Sequence, residues 1–65
     1  MKNKFIVVDK VPKEGIPYKT AINFNNVVEV TPKDNHECWL KYWDGKEIRN
    51  TRIANTLEEV VAQVG

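Results

Sequence analysis

The stretch ECWLKYWDGKEIR, residues 37–49, sets Trp39 and Trp43 four positions apart with Lys41 midway between them. Asp44-Gly45 marks a hairpin, and the turn type decides which side chains share a face. A two-residue type I′ turn would oppose Trp43 to Lys46, Lys41 to Ile48 and Leu40 to Arg49, mixing apolar with charged on both faces. A type I turn over Trp43-Asp44-Gly45, with Gly45 in the left-handed bulge position, opposes Tyr42 to Lys46, Leu40 to Ile48 and Cys38 to Asn50. That register collects Cys38, Leu40 and Ile48 on an inner face, with Tyr42 near its edge. It leaves Trp39, Lys41, Glu47 and Arg49 outside, with Trp43 at the turn. Pairing register follows the face that must be buried, so the bulged turn is expected, and the tryptophans are expected to point away from the core.

Upstream, Lys4 to Val8 (KFIVV) is a β-branched run that reads as a first strand, apolar on both faces. KVPKEGIPY follows as a loop, because Pro12, Gly15 and Pro17 forbid regular pairing. TAINF alternates and places Ile22 and Phe24 on one face. Asn25-Asn26 then suits a tight turn, since asparagine tolerates positive φ, and leads into VVEVT with Val28 and Val30 inward and Glu29 outward. TPKDNHE is a polar loop. Downstream, TLEEVVAQV is a helix: Thr56 and Glu59 form a capping box, and Leu57, Val60, Val61 and Val64 make one apolar stripe. So short a helix does not hold in water and must dock on the sheet.

A chain of 65 residues is one small domain with a thin margin of stability. Its single cysteine, Cys38, excludes an internal disulfide, and its single histidine, His36, does not furnish the four Cys or His ligands of a structural zinc site. Self-association is therefore a reasonable way to add core. The net charge is +1 with both signs mixed along the chain, which argues against a strongly basic nucleic-acid binder. The apolar runs are too short for a membrane span or a signal peptide, and an unpaired cysteine suits a reducing compartment. A cytoplasmic protein is expected.

Asp34, His36 and Cys38 alternate, which on an extended segment would align an acid, an imidazole and a thiol. Strand neighbours rarely meet with catalytic geometry, so Cys38 is read as a small core residue and His36 as a solvated loop residue. No glycine-rich phosphate loop occurs. Glu58 and Glu59 diverge on a helix and serve its first turn. Lys46, Arg49 and Arg52 form at most a small basic strip.

From Ile22 to Val64, the run INFNNVVEVTP…CWLKYWDGKEIR…TLEEVVAQV resembles small bacterial and phage proteins of the FlbD type and the β-core of LytTR-type DNA-binding domains. The resemblance implies a regulatory binding module, although the basic DNA-reading surface of LytTR domains has no clear counterpart here. Small chains of this style also resemble phage-encoded inhibitors and ligand sponges.

The expected fold is α+β: a small twisted antiparallel sheet of four or five strands with one C-terminal helix packed on one face. The expected function is non-enzymatic binding of a protein partner by a regulatory or inhibitory protein, as a homo-oligomer and without a cofactor. The binding residues are expected to be Trp39, Lys41, Trp43, Arg49 and Arg52. Sequestration of a nucleotide-type ligand is the alternative, with a tryptophan stacking on the base and Lys41, Arg49 or Arg52 meeting phosphate. Nucleic-acid binding ranks third.

Overall fold

The computed structural model describes residues 4–65. Five strands, β1 (Phe5–Val11), β2 (Tyr18–Asn23), β3 (Val27–Pro32), β4 (Cys38–Trp43) and β5 (Ile48–Ile53), precede helix α1 (Leu57–Val64). They form one open antiparallel sheet in the order β2-β1-β5-β4-β3. Alternation along β1 and β4 sends Ile6, Val8, Cys38 and Leu40 to one face, where they meet Ile53 and Val60 in the buried core. Helix α1 rests against β1 and β3, which are not neighbours in the sheet, and so closes that face from above. The expected α+β architecture is present with all five strands.

The helix begins as its residues dictate. Thr56 accepts a hydrogen bond from the Glu59 N–H at 3.1 Å, and the Glu59 carboxylate accepts one from the Thr56 N–H at 2.8 Å. This capping box satisfies two donors that helix geometry leaves orphaned.

β5 pairs with β1 only at Lys10 and Val11, which leaves the rest of that edge of β1 without a strand. Other groups replace it. The Ala54 N–H donates to the Asp9 carbonyl at 2.7 Å, and the Asp9 N–H donates to Asn55 Oδ1 at 2.7 Å. The Val7 N–H donates to Gln63 Oε1 and the Val7 carbonyl accepts from Gln63 Nε2, both at 2.8 Å. Lys4 Nζ reaches the carbonyl of Val64. The side-chain amide of Gln63 thus presents a donor and an acceptor together, as a neighbouring peptide group would, and the backbone polar groups of Val7 and Asp9 are satisfied without a sixth strand.

Four local expectations are corrected. Between β4 and β5 the partners are Cys38 with Ile53, Leu40 with Thr51, Tyr42 with Arg49 and Trp43 with Ile48. The turn therefore spans Asp44 to Glu47, longer than either turn the sequence suggested. Asp44 Oδ1 accepts from the N–H groups of Lys46 and Glu47 at 2.8 and 2.9 Å, and the Asp44 N–H donates to the Glu47 carbonyl. Gly45 does take a positive φ, 103°. The loop before β4 repeats the device: Asp34 Oδ1 accepts from His36 and Glu37 N–H groups at 2.7 and 2.8 Å. DNHE and DGKE are two copies of one aspartate-organised loop, at either end of β4.

Second, Asn25-Asn26 does not form a positive-φ turn. Phe24–Asn26 is a short 3₁₀ turn, and its amides are capped by the Asn23 side chain, which accepts from the Asn25 N–H at 2.9 Å. Third, a bulge between Val27 and Glu29 turns Val27 inward with Val30 and leaves Val28 59 % exposed. On the helix, Val61 likewise leaves its expected stripe, at 56 % exposure.

Candidate protein-binding face

Strand alternation places Trp39, Lys41 and Trp43 on the face of β4 away from the helix. Their cross-strand partners on β5 are Arg52, Asn50 and Ile48, so Arg52 and Ile48 share that face. Trp39, Trp43 and Ile48 are 39 %, 44 % and 50 % exposed. The outward direction expected for both tryptophans holds, although the register that suggested it does not.

The five expected binding residues are only partly brought together. Trp39, Lys41, Trp43 and Arg52 lie on one surface. Arg49 does not, because it opposes Tyr42 on the other face. It is instead clasped at the hairpin, with Nε on Asp44 Oδ2 and Nη2 3.1 Å from Glu47. The Arg49 guanidinium, aided by the Glu47 and Lys46 N–H groups, holds the Asp44 carboxyl down at about 2. Ile48 takes the outward place that the sequence assigned to Arg49. The repeated D-x-x-E spacing was the available signal for this loop.

The remaining cations are also engaged. Lys41 Nζ lies 3.6 Å from Glu29 on β3. Arg52 Nε lies 3.3 Å from Glu37 Oε1, an ion-pair distance without hydrogen-bond alignment, and Lys33 approaches the same carboxylate at 3.7 Å. The surface is therefore close to electrically neutral, with apolar groups flanking internally paired charges.

The two tryptophans stand about 13 Å apart along the strand, too far to sandwich one planar group. Each borders its own shallow cavity. Trp39 adjoins Val11, Pro12 and Arg52 in a space of about 410 Å³. Trp43 adjoins Tyr42, Asn23 and Asn26 in one of about 470 Å³. Behind Trp43, the Tyr42 hydroxyl is 3.3 Å from Lys10 Nζ, whose charge also sits 5.3 Å from the Tyr42 ring centroid, a cation–π distance.

Cys38 is fully buried, and burial pushes its thiol pKa up, so it is held as the neutral thiol. His36 is exposed in the loop while Asp34 spends its carboxylate on backbone amides. The three alternating residues form no working cluster. Among the described residues no group of three or more His, Cys, Asp or Glu side chains could hold a metal ion, and no helix is long and apolar enough to cross a membrane.

No protein family, no curated protein and no solved structure matches this chain. The likeness to FlbD-type and LytTR-core proteins rests on the order of elements and the quoted residues alone.

Proposed function

We propose that this chain is a small non-enzymatic regulatory or inhibitory protein that works in the cytoplasm by docking the outer face of β4 and β5 onto a protein partner, and that it self-associates. The observation that carries this reading is Trp39, Trp43 and Ile48 exposed together beside charges already neutralised by Glu29 and Glu37. Such a surface loses little on desolvation, and buried aromatics dominate binding energy at interfaces. Self-association has separate support: among the described residues, six hydrophobic ones are fully buried while nine large ones are exposed, an inverted balance for so small a domain.

Trp39→Ala combined with Trp43→Ala tests the face. Both side chains are too exposed to anchor the core, so the double variant keeps its circular dichroism spectrum. Capture of partner protein and assembly in sedimentation are lost. A folded variant that still assembles and still captures its partner removes the assignment, and an unfolded one shows the pair to be structural.

The cavity beside Trp43, with the amides of Asn23 and Asn26 near an aromatic ring, supports a second reading as a trap for a nucleotide-type ligand. Phosphate near it would compete with Asp44 for Arg49 and with Glu29 for Lys41, whereas Arg52 lies at the other cavity, beside Trp39. Quenching of tryptophan fluorescence by nucleotides is its test. Nucleic-acid binding ranks below both, since it would require a steep salt dependence while Lys41, Arg49 and Arg52 already have acidic partners.

A further inference from the structure

Two residues whose spacing assigns them to the core, Val28 and Val61, are both left more than half exposed, and they line the same groove. It runs between edge strand β3 and helix α1, with Phe24, Leu57 and Val64 also along it, and holds about 440 Å³. Val27, Val30 and Val60 join its walls to the core. The apolar periodicity of β3 and of α1 therefore calls for burial that the isolated chain does not supply. The groove lies on the helix side of the sheet, away from Trp39 and Trp43.

The charge that lines it is acidic: among the described residues, Glu29 is the only charged one in its walls. At Leu57 the groove meets a second depression whose charged residues are Asp34 and Glu58. Lys41 partners Glu29 and Lys33 lies near Asp34, at 3.6 Å each, whereas Glu58 has no ion-pair partner among the described residues. The bulge in β3 and Pro32 at its end disfavour addition of another strand to this edge, so the groove favours side-chain anchors over backbone pairing. A second copy would set these acids against their own equivalents if it docked groove to groove.

We propose that the β3–α1 groove is a docking site for an amphipathic helical segment of a partner protein, apolar on one side and carrying Lys or Arg beside its anchors. Apolar residues at helical spacing would bury Val28 and Val61, and the basic residues would face Glu58. The groove lies on the opposite side of the sheet from the tryptophans, with Glu29, paired to Lys41, at the edge they share.

The test uses three short labelled peptides: a leucine/lysine amphipathic helix, its leucine/glutamate counterpart, and a leucine/lysine sequence scrambled to destroy the apolar stripe. Fluorescence anisotropy with the whole chain should show the first binding about tenfold or more tighter than either control. An anchor lost from the centre of an interface commonly costs that much, so Val61→Asp should weaken binding by about tenfold with an unchanged circular dichroism spectrum. Val28→Asp, on the opposite wall, supplies a second variant should the first disturb the helix. Glu58→Lys should weaken the leucine/lysine peptide and improve the leucine/glutamate one. The Trp39→Ala, Trp43→Ala variant should bind the first peptide as the parent does, which separates this site from the other face. Equal binding of all three peptides, or unchanged binding by both folded valine variants, overturns the proposal. A parent dimer that Val61→Asp converts to monomer also overturns it, in favour of a second copy as occupant.

Discussion

Replacing Asn55 with alanine should destabilise the fold through the edge of β1. Asn55 is 8 % exposed, its Oδ1 accepts from the Asp9 N–H at 2.7 Å, and its Nδ2 donates to Asp9 Oδ2 at 3.2 Å. The Asp9 carboxylate keeps Lys19 at 3.0 Å, so the severe loss falls on the backbone amide. A shielded donor left without an acceptor costs about 1–3 kcal/mol, and about 2 kcal/mol is expected here. Stabilities of roughly 0.05–0.15 kcal/mol per residue leave so short a chain about 3–10 kcal/mol in all. Loss of that size lowers the melting temperature by about 10 °C. Urea unfolding followed by tryptophan fluorescence and by circular dichroism would measure it, with an unchanged denaturant slope. Asn55→Asp separates the two bonds: an oxygen still accepts from the Asp9 N–H, but the second oxygen now confronts the Asp9 carboxylate. That variant should be at least as unstable near neutrality and should recover relative to Asn55→Ala in acid. An alanine variant within about 0.5 kcal/mol of the parent, the range of ordinary surface changes, would refute the role given to this side chain.

Val60, 2 % exposed in the core, should not tolerate aspartate: an unpaired charge there costs several kcal/mol, and native thermal stability of the variant would show that α1 does not dock. Gly45→Val should cost more than about 1 kcal/mol by chemical denaturation. No atom lies within 4 Å of an added Cβ, so that carbon meets no clash and the penalty starts from the φ of 103°. The Asp44 carboxyl is depressed from an ordinary 3.8 to about 2, so its clasp on Arg49 and two amides contributes fully above pH 3.8 and is lost as pH falls through about 2. Asp44→Asn should flatten the stability profile across that window, and an unchanged profile would place the acid sensitivity elsewhere.

Elements with strong local chemistry are legible in the sequence. Thr56 and Glu59 announce the helix start, β-branched runs mark the strands, and Pro12, Gly15 and Pro17 mark the long connection. The outward tryptophans were reached through a register that did not hold: odd-numbered residues of β4 share one side in any register, and burial of Cys38 and Leu40 makes that side the outer one. What failed was counting. The hairpin was read from Asp44-Gly45 alone, whereas the aspartate reaches forward to the amides of Lys46 and Glu47 and lengthens the loop. That sent Arg49 inward and Ile48 outward. Val28 was misassigned because a bulge between Val27 and Glu29 breaks period-two alternation. Asn55 and Gln63 escaped notice because their value comes from the edge of β1, many residues distant.

The amides that finish β1 come from positions 46 and 56 residues further along the chain. Closing loops of that length costs entropy before any contact repays it, and long-range contacts of this kind slow folding. The hairpin of β4 and β5 and the capped turn of α1 can form from near neighbours, while the seal on β1 must form late. Until it does, the folding chain carries a row of unpaired backbone groups on β1, beside Phe5 and Val7, which stay exposed in the finished fold. The side chains of Asn55 and Gln63 therefore also limit how long each newly made molecule can be templated into an aggregate by another.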